Sequence, residues 1–282
     1  MTTIAVTGST GRLGAKVARR LAAAGARQRL VVRDPRRAPQ LAGAEVVRAE
    51  YGDADSARAA LAGIDVVFMV SASETVDRVA RHLSFVDAAV EAGVAHLVYL
   101  SFYGASPSST FILARHHWET EQRIRFRELA FTFLRDNVYA DFLPLMVGPD
   151  GVIRGPAGRG RVALVAQDDI ADVAAAVLSS PEDHRGRTYD LTGPEALDLD
   201  EAAAVVTEVT GRTVTYHPET IDEAYASRAS YGAPDWQVDA WVSTYTAIAA
   251  GELAGVSDDV ARVTGHPAMP LREVLRRQEG AR

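Results

Sequence analysis

Short apolar runs alternate with helix-spaced patterns through the first half of the chain. Ile4-Ala5-Val6 is followed by a helical pattern near residues 12–24, and Leu30-Val31-Val32 by a basic turn. Glu45-Val46-Val47 leads into a short helix near 54–61, and the run from Asp65 to Val70 into a long helix near 76–92. His96 to Leu100 is a fifth run, residues 110–128 are helical in pattern, and Phe131-Thr132-Phe133-Leu134 is a sixth run. Apolar runs this short, set between helices, predict strands buried on both faces of a parallel sheet. Repeated strand–helix units with right-handed crossovers predict a doubly wound α/β fold with helices on both faces.

The pattern changes after about residue 147. Gly148, Pro149, Gly151, Gly155, Pro156, Gly158 and Gly160 predict a turn-rich crossing segment. A strand from Val162 to Val165 follows, then a helix capped by Asp168-Asp169 and running to about Leu178, then a strand at Tyr189-Asp190-Leu191. The remainder reads as mostly helical. Val238, Trp241, Tyr245 and Ile248 follow helical spacing, which predicts a buried face holding Trp241 and Tyr245. The expected division is a dinucleotide-binding core at 1–147. Residues 148–282 then supply the remaining core elements (162–191) and a small, mostly helical C-terminal lobe on the substrate side.

The first strand runs directly into Gly8-Ser9-Thr10-Gly11-Arg12-Leu13-Gly14, which opens the first helix. Gly8 permits a tight turn, Gly11 lets backbone approach a diphosphate, and Gly14 allows close helix–strand packing. The helix N-terminus offers free N–H groups and a positive dipole end to the phosphates. Strand, glycine turn and helix at the head of a long β/α alternation predict a Rossmann dinucleotide site. At the tip of the second strand stands Arg33, nineteen positions after Gly14. An acidic residue there would bind the ribose hydroxyls of NAD, whereas a guanidinium suits the 2′-phosphate of NADP. Arg12 is a second candidate cation, and Asp34 could instead turn inward and serve NAD. NADP(H) is the favoured cofactor and NAD(H) the alternative. Arg36 and Arg37 read as surface charge, as do Arg123, Arg125 and Arg127 on their helix.

Composition narrows the chemistry. The 282 residues contain no cysteine, which excludes disulfides, thiolate metal sites and cysteine nucleophiles and fits a reducing compartment. No basic segment followed by an apolar one opens the chain, and no apolar run is long enough to span a bilayer, so a cytoplasmic, membrane-free protein is expected. The net charge of −7 argues against nucleic acid as a partner. Histidines and carboxylates show no metal-ligand spacing, so no metal site is expected. Lys16 is the single lysine and lies in the first helix. A tyrosine acidified by a lysine four residues later, the usual proton carrier of alcohol dehydrogenases with this core, therefore cannot be built.

Several segments together resemble the atypical short-chain dehydrogenase/reductases, in their NmrA-like branch. They are the glycine loop; Val32-Arg33-Asp34-Pro35; Gly52-Asp53 with Ala60-Leu61-Ala62-Gly63-Ile64-Asp65; Ala88-Ala89-Val90-Glu91-Ala92-Gly93-Val94; Val98-Tyr99-Leu100-Ser101; and Phe133-Leu134-Arg135. His117-Trp118-Glu119-Thr120-Glu121 is similar to the quinone- and triphenylmethane-dye-reductase group within that branch. The resemblance implies Asp53 beside the adenine, Ser71, Ala72 and Ser73 along the cofactor ribose, and Ser101 near the nicotinamide. It also puts Leu113 and His117 in the family's tyrosine and lysine slots, and Asn137 and Tyr139 toward an acceptor. Two readings follow. One is an NADPH-dependent oxidoreductase passing hydride to a quinone-like or other conjugated small molecule, which needs little acid help; Tyr103 and His117 are the candidate weak acids. The other is a non-catalytic NADP(H)-sensing regulator, since the branch holds both kinds. Tyr103 and Trp236, with Phe142 and Tyr231, are further candidates for the acceptor wall, and the resemblance implies a monomer or homodimer.

Overall fold

A computed structural model describes residues 2–280. The chain divides into two compact units: Met1–Phe102, His116–Arg135 and Ile170–Tyr189 form the first, and Tyr103–Arg115, Asp136–Asp169 and Asp190–Arg282 the second.

The chain begins β1 (Thr3–Thr7), α1 (Arg12–Ala23), β2 (Arg27–Val32), β3 (Ala44–Arg48), α2 (Ala54–Leu61), β4 (Val66–Met69), α3 (Arg78–Glu91) and β5 (His96–Phe102). It continues α4 (Ile112–Phe126), β6 (Ala130–Asp136), β7 (Val152–Gly155), α5 (Gln167–Ser179) and β8 (Thr188–Leu191). It ends α6 (Leu199–Thr210), β9 (Thr215–Pro218), α7 (Ile221–Arg228), α8 (Asp235–Ala249), α9 (Asp259–Thr264) and α10 (Leu271–Gly280).

Seven strands form one sheet in the order β3-β2-β1-β4-β5-β6-β8, as the alternation predicts. β1 pairs in parallel with β2 (Val6 opposite Leu30) and with β4 (Val6 opposite Phe68), so the strand order reverses between β1 and β4. Such a reversal opens a crevice beyond the carboxyl ends of the strands, where ligands of this fold class sit. All four residues of β4 are buried, as a strand covered on both faces must be. In the first unit, Phe85, Val86 and Ala89 of α3 pack with Val67 and Met69 of β4, Leu97 and Tyr99 of β5, and Phe133 of β6.

Of the arginines read as a solvated face, Arg125 is exposed as expected, while Arg123 and Arg127 are half-buried, which is a correction. Arg123 and Arg127 both bind Asp87 of α3, at 2.5–2.9 Å and 2.8 Å, and Arg125 lies 4.5 Å from the Phe131 ring centroid. They tie α4 to α3 and cover an aromatic pair.

The second unit departs from expectation twice. Residues 162–165 form no strand: Val162 bridges Leu197, Val165 bridges Tyr139, and the Ala163 N–H goes to Leu253. The run is apolar because it is buried, and its amides serve three different segments. Conversely, β7 and β9 pair in parallel as a two-stranded sheet that local sequence does not announce. Trp241 and Tyr245 of α8 are half-buried rather than core, while Val238, Val242 and Ile248 are buried as the spacing predicts.

Candidate functional site

The helix that follows the glycine turn is left open at its start. Gly11 is the N-cap of α1, no side chain caps it, and its first turn carries no acid. The start of α1 thus meets no side-chain cap, the arrangement in which first-turn N–H groups turn toward an anion. Gly8 stands at φ +66°, a conformation that favours glycine, and a Cβ there would press on Val70. A Cβ on Gly14 would run into the Gly8 carbonyl, so the close packing ascribed to this position is real. Ser9 is fully buried, and its hydroxyl has no hydrogen-bond partner among the described residues.

A cleft of about 260 Å³ lies at the β1/β4 reversal. Thr7, Gly8, Thr10 and Gly11 line it from the glycine turn, Arg33 from the tip of β2, Glu50 and Tyr51 from the segment after β3, and Ser71, Ala72 and Ser73 from the loop after β4. Tyr51 is anchored there: its hydroxyl lies 2.6 Å from both Thr7 Oγ1 and the Val70 carbonyl, and its ring stacks on Phe85 at 4.3 Å. Burial pushes its phenol pKa up, so it stays protonated. A larger cavity, about 480 Å³, opens at the opposite end of β4 and β5 between Asp65, His96 and Glu182, away from the glycine turn.

The strand tip separates its two charges. Arg33 is exposed, lines the cleft, and has no ion-pair partner among the described residues. Asp34 caps the short turn that follows, accepting from the Arg36 N–H at 3.1 Å and from the Arg36 guanidinium at 2.9 and 3.0 Å. These bonds hold its pKa below the usual carboxylate range. Its carboxylate is thus committed to its own turn. Asp53 is an exposed helix cap, accepting from the Ser56 N–H at 3.1 Å at the start of α2, and does not line the cleft.

The remaining candidates of the first unit lie deeper. Ser101 is buried and donates to Glu121 Oε1 at 2.6 Å; Glu121, also buried, is gripped by Arg135 at 2.9 and 2.6 Å. With its proton given to a carboxylate, Ser101 has only lone pairs to offer. His117 is buried between Arg78 Nη2, 3.0 Å from Nε2, and the Tyr99 hydroxyl, 2.9 Å from Nδ1. Burial, and then the Arg78 charge, push its pKa well down, so it is a neutral imidazole. With both nitrogens engaged, the ring bridges α3 and β5. The His117–Glu121 segment thus knits α4 to its neighbours, with Thr120 bound to His82.

In the second unit, Tyr103 is half-buried with its hydroxyl against Gly255, and burial followed by the Asp190 charge raises its pKa. Asn137 is fully buried, its amide donating to the Leu253 carbonyl at 3.0 Å and accepting from the Val138 N–H at 2.8 Å. Those bonds make it a brace rather than an exposed contact. Tyr139 donates to Asp136 at 2.6 Å and packs edge-on to Phe142 at 5.2 Å. Trp236 is half-buried in the first turn of α8. Sequence reasoning missed Tyr51, Arg78, His82 and the Glu121–Arg135 pair; buried charge and histidine inside apolar helix patterns was the available signal.

The NmrA-like family profile matches residues 1–227. The chain belongs to the NmrA-like family. Within it, the chain is 33% identical to the NAD(P)H azoreductase of Xenophilus azovorans over 284 residues, covering 99% of this chain and 98% of that protein. Its structure is similar to the NADPH-dependent quinone oxidoreductase of Escherichia coli complexed with NADPH, with a TM-score of 0.89 and 32% identity over 98% of this chain and 99% of that one. It is also similar to the Citrobacter sp. triphenylmethane reductase complexed with NADP(H), with a TM-score of 0.86 and 32% identity over 97% of this chain and 99% of that one. The family membership and the sheet inferred from sequence both hold. Among the described residues, no helix is long and apolar enough to cross a membrane.

Proposed function

We propose that this NmrA-like protein is an NADPH-dependent reductase that passes hydride to a quinone-like, azo or cationic-dye acceptor without a tyrosine–lysine proton carrier. The coarser statement, an NAD(P)H-dependent oxidoreductase, rests on reductases that match it over nearly its whole length. The observation that carries the choice of NADPH is the strip from the open start of α1 to Arg33, beside an Asp34 already bound to Arg36.

The bound dinucleotide supplies a hydride from its nicotinamide ring. The chain's own residues do the rest. The glycine turn and the first turn of α1 would hold the diphosphate, and the Arg33 guanidinium would take the 2′-phosphate in a charge-assisted contact. Ser71 and Ser73 border the ribose. Ser101 has no proton to give a substrate carbonyl, because Glu121 holds it. Lys16, the single lysine, lies in α1. Acceptors with an electron-poor π-system suit such a site, since water can deliver their proton. Tyr103, its pKa raised, keeps its proton at neutral pH and is the proposed weak donor, with Tyr139 and Trp236 for flat rings. The regulator reading has less support, because the relatives matched at 33% identity or more over nearly the whole chain are oxidoreductases.

The test is NADPH oxidation followed at its absorbance band with a benzoquinone, an azo dye and a triphenylmethane dye. Acceptor-dependent turnover with at least one is expected. Tight NADPH binding with no turnover on any would overturn the reductase reading in favour of the regulator.

A further inference from the structure

Ala72 lies in the wall of the cleft, in a loop that has no ladder of its own. Both polar atoms of its backbone are nevertheless taken by buried side chains of α3. Its N–H donates to His82 Nε2 at 2.8 Å, and its carbonyl accepts from Arg78 Nε at 3.0 Å. His82 is fully buried and Arg78 is 3% exposed. We infer that Arg78 and His82 are positioning residues for the dinucleotide, a two-sided clamp that fixes the Ser71–Ser73 wall in its binding shape before the cofactor arrives.

The proton bookkeeping supports a fixed clamp. His82 Nε2 accepts from Ala72, so its proton is on Nδ1, 2.9 Å from Thr120 Oγ1; Thr120 passes its own proton to the His116 carbonyl at 2.8 Å. A guanidinium only donates, so Arg78 Nη2 donates to His117 Nε2, and the His117 proton on Nδ1 is directed to the Tyr99 oxygen. Each imidazole is therefore a neutral Nδ1–H tautomer whose other nitrogen receives an N–H. Adding a proton to either ring would set two donors against each other. Burial and the neighbouring Arg78 charge keep both rings neutral.

A loop ordered in advance spares the ligand the cost of ordering it. Arg78 serves Ala72 and His117 with different nitrogens of one planar fork, which a lysine cannot reproduce. The two side chains touch the loop, not the hydride path, so they should govern cofactor affinity and leave the saturated rate nearly alone.

The inference rests on reading the cleft as the dinucleotide site, and the test separates the two. NADPH fluorescence titration and steady-state kinetics are run on the whole protein and on His82→Leu, His82→Gln and His82→Asn, with melting curves to show that each is folded. Stranding the Ala72 N–H in His82→Leu should raise the NADPH Kd and KM about 10-fold. The rate at saturation should change by less than about 3-fold. The Gln variant keeps an acceptor at the reach of Nε2 and should recover most of the affinity; Asn is too short and should not. Arg78→Lys should raise the NADPH KM in the same direction. Equal NADPH affinity across the folded Leu, Gln and Asn variants and the parent would overturn the clamp. If Leu fails to fold, equal affinity of the Gln and Asn variants does so. No NADPH binding by the parent would instead overturn the reading of the cleft.

Discussion

At Asp198 and Thr220 the chain closes the starts of α6 and α7 with capping boxes. Asp198 accepts from the Glu201 N–H at 2.8 Å while Glu201 returns to the Asp198 N–H at 3.0 Å, and Thr220 and Glu223 do the same. At Gly11 the start of α1 has neither cap nor first-turn acid. All three helix starts have the same orphan donors and the same positive dipole end. Two are satisfied from within, and α7 gains an exposed terminus that needs no partner. The third has neither kind of internal cap, and it borders a cleft where Arg33 adds a further positive charge. An uncapped helix start is thus a more specific pointer to the proposed site than glycine content is: Gly211 and Gly265 also have positive φ, but only to end helices.

The contrast can be broken at its open end first. Gly14→Ala forces the turn away from the Gly8 carbonyl, and NADPH binding by calorimetry should fall on the order of 100-fold, the loss of one or two charge-assisted bonds to the diphosphate. Next, Arg33→Ala should weaken NADPH by roughly 10- to 100-fold, the loss of one or two charge-assisted bonds, while the NADH dissociation constant moves less than about 3-fold. Equal losses for both cofactors would assign Arg33 to the adenine rather than the phosphate. The satisfied interior is probed by acid. His96 donates from Nε2 to Thr132 at 2.9 Å, and burial lowers its pKa to about 4 from 6.5. Between those values the unfolded chain binds more protons than the folded one. Stability is therefore full above pH 6.5 and is lost as the pH falls toward 4. Melting temperatures should decline across that window, and His96→Gln should flatten the decline. Smallest is the closed end: Asp198→Ala should cost about 1 kcal/mol by urea denaturation, with NADPH affinity unchanged.

What was legible in the sequence follows from how local each signal is. β1 to β6 are short apolar runs, set between helices except at β2 and β3, and the glycine turn and Arg33 sit at spacings the strand–turn–helix unit imposes. β7 and β9 are four-residue strands, one ending in Gly155 and one in Pro218, whose pairing joins segments some sixty residues apart, so nothing near either one specifies the other. The 162–165 run looked like a strand because apolar residues report burial, and burial does not say which segments receive the amides. The site divides in the same way. His117 was visible as a family position, but its neutrality depends on Arg78, which lies thirty-nine positions away in sequence. The Ala72 clamp could not be read at all, since it uses backbone atoms, which every residue has.

A carboxylate already claimed by its own turn cannot reach for a ribose diol. The Asp34–Arg36 pair is exposed and adds little to stability, yet under the proposed function it would decide which nicotinamide cofactor the strand tip accepts. Selectivity would then reside in a latch next to the arginine proposed to hold the phosphate. Cutting the latch with Arg36→Ala in an Arg33→Ala background, one change in the cleft wall and one beside it, would leave the strand tip an acidic group and turn the proposed preference from NADPH toward NADH.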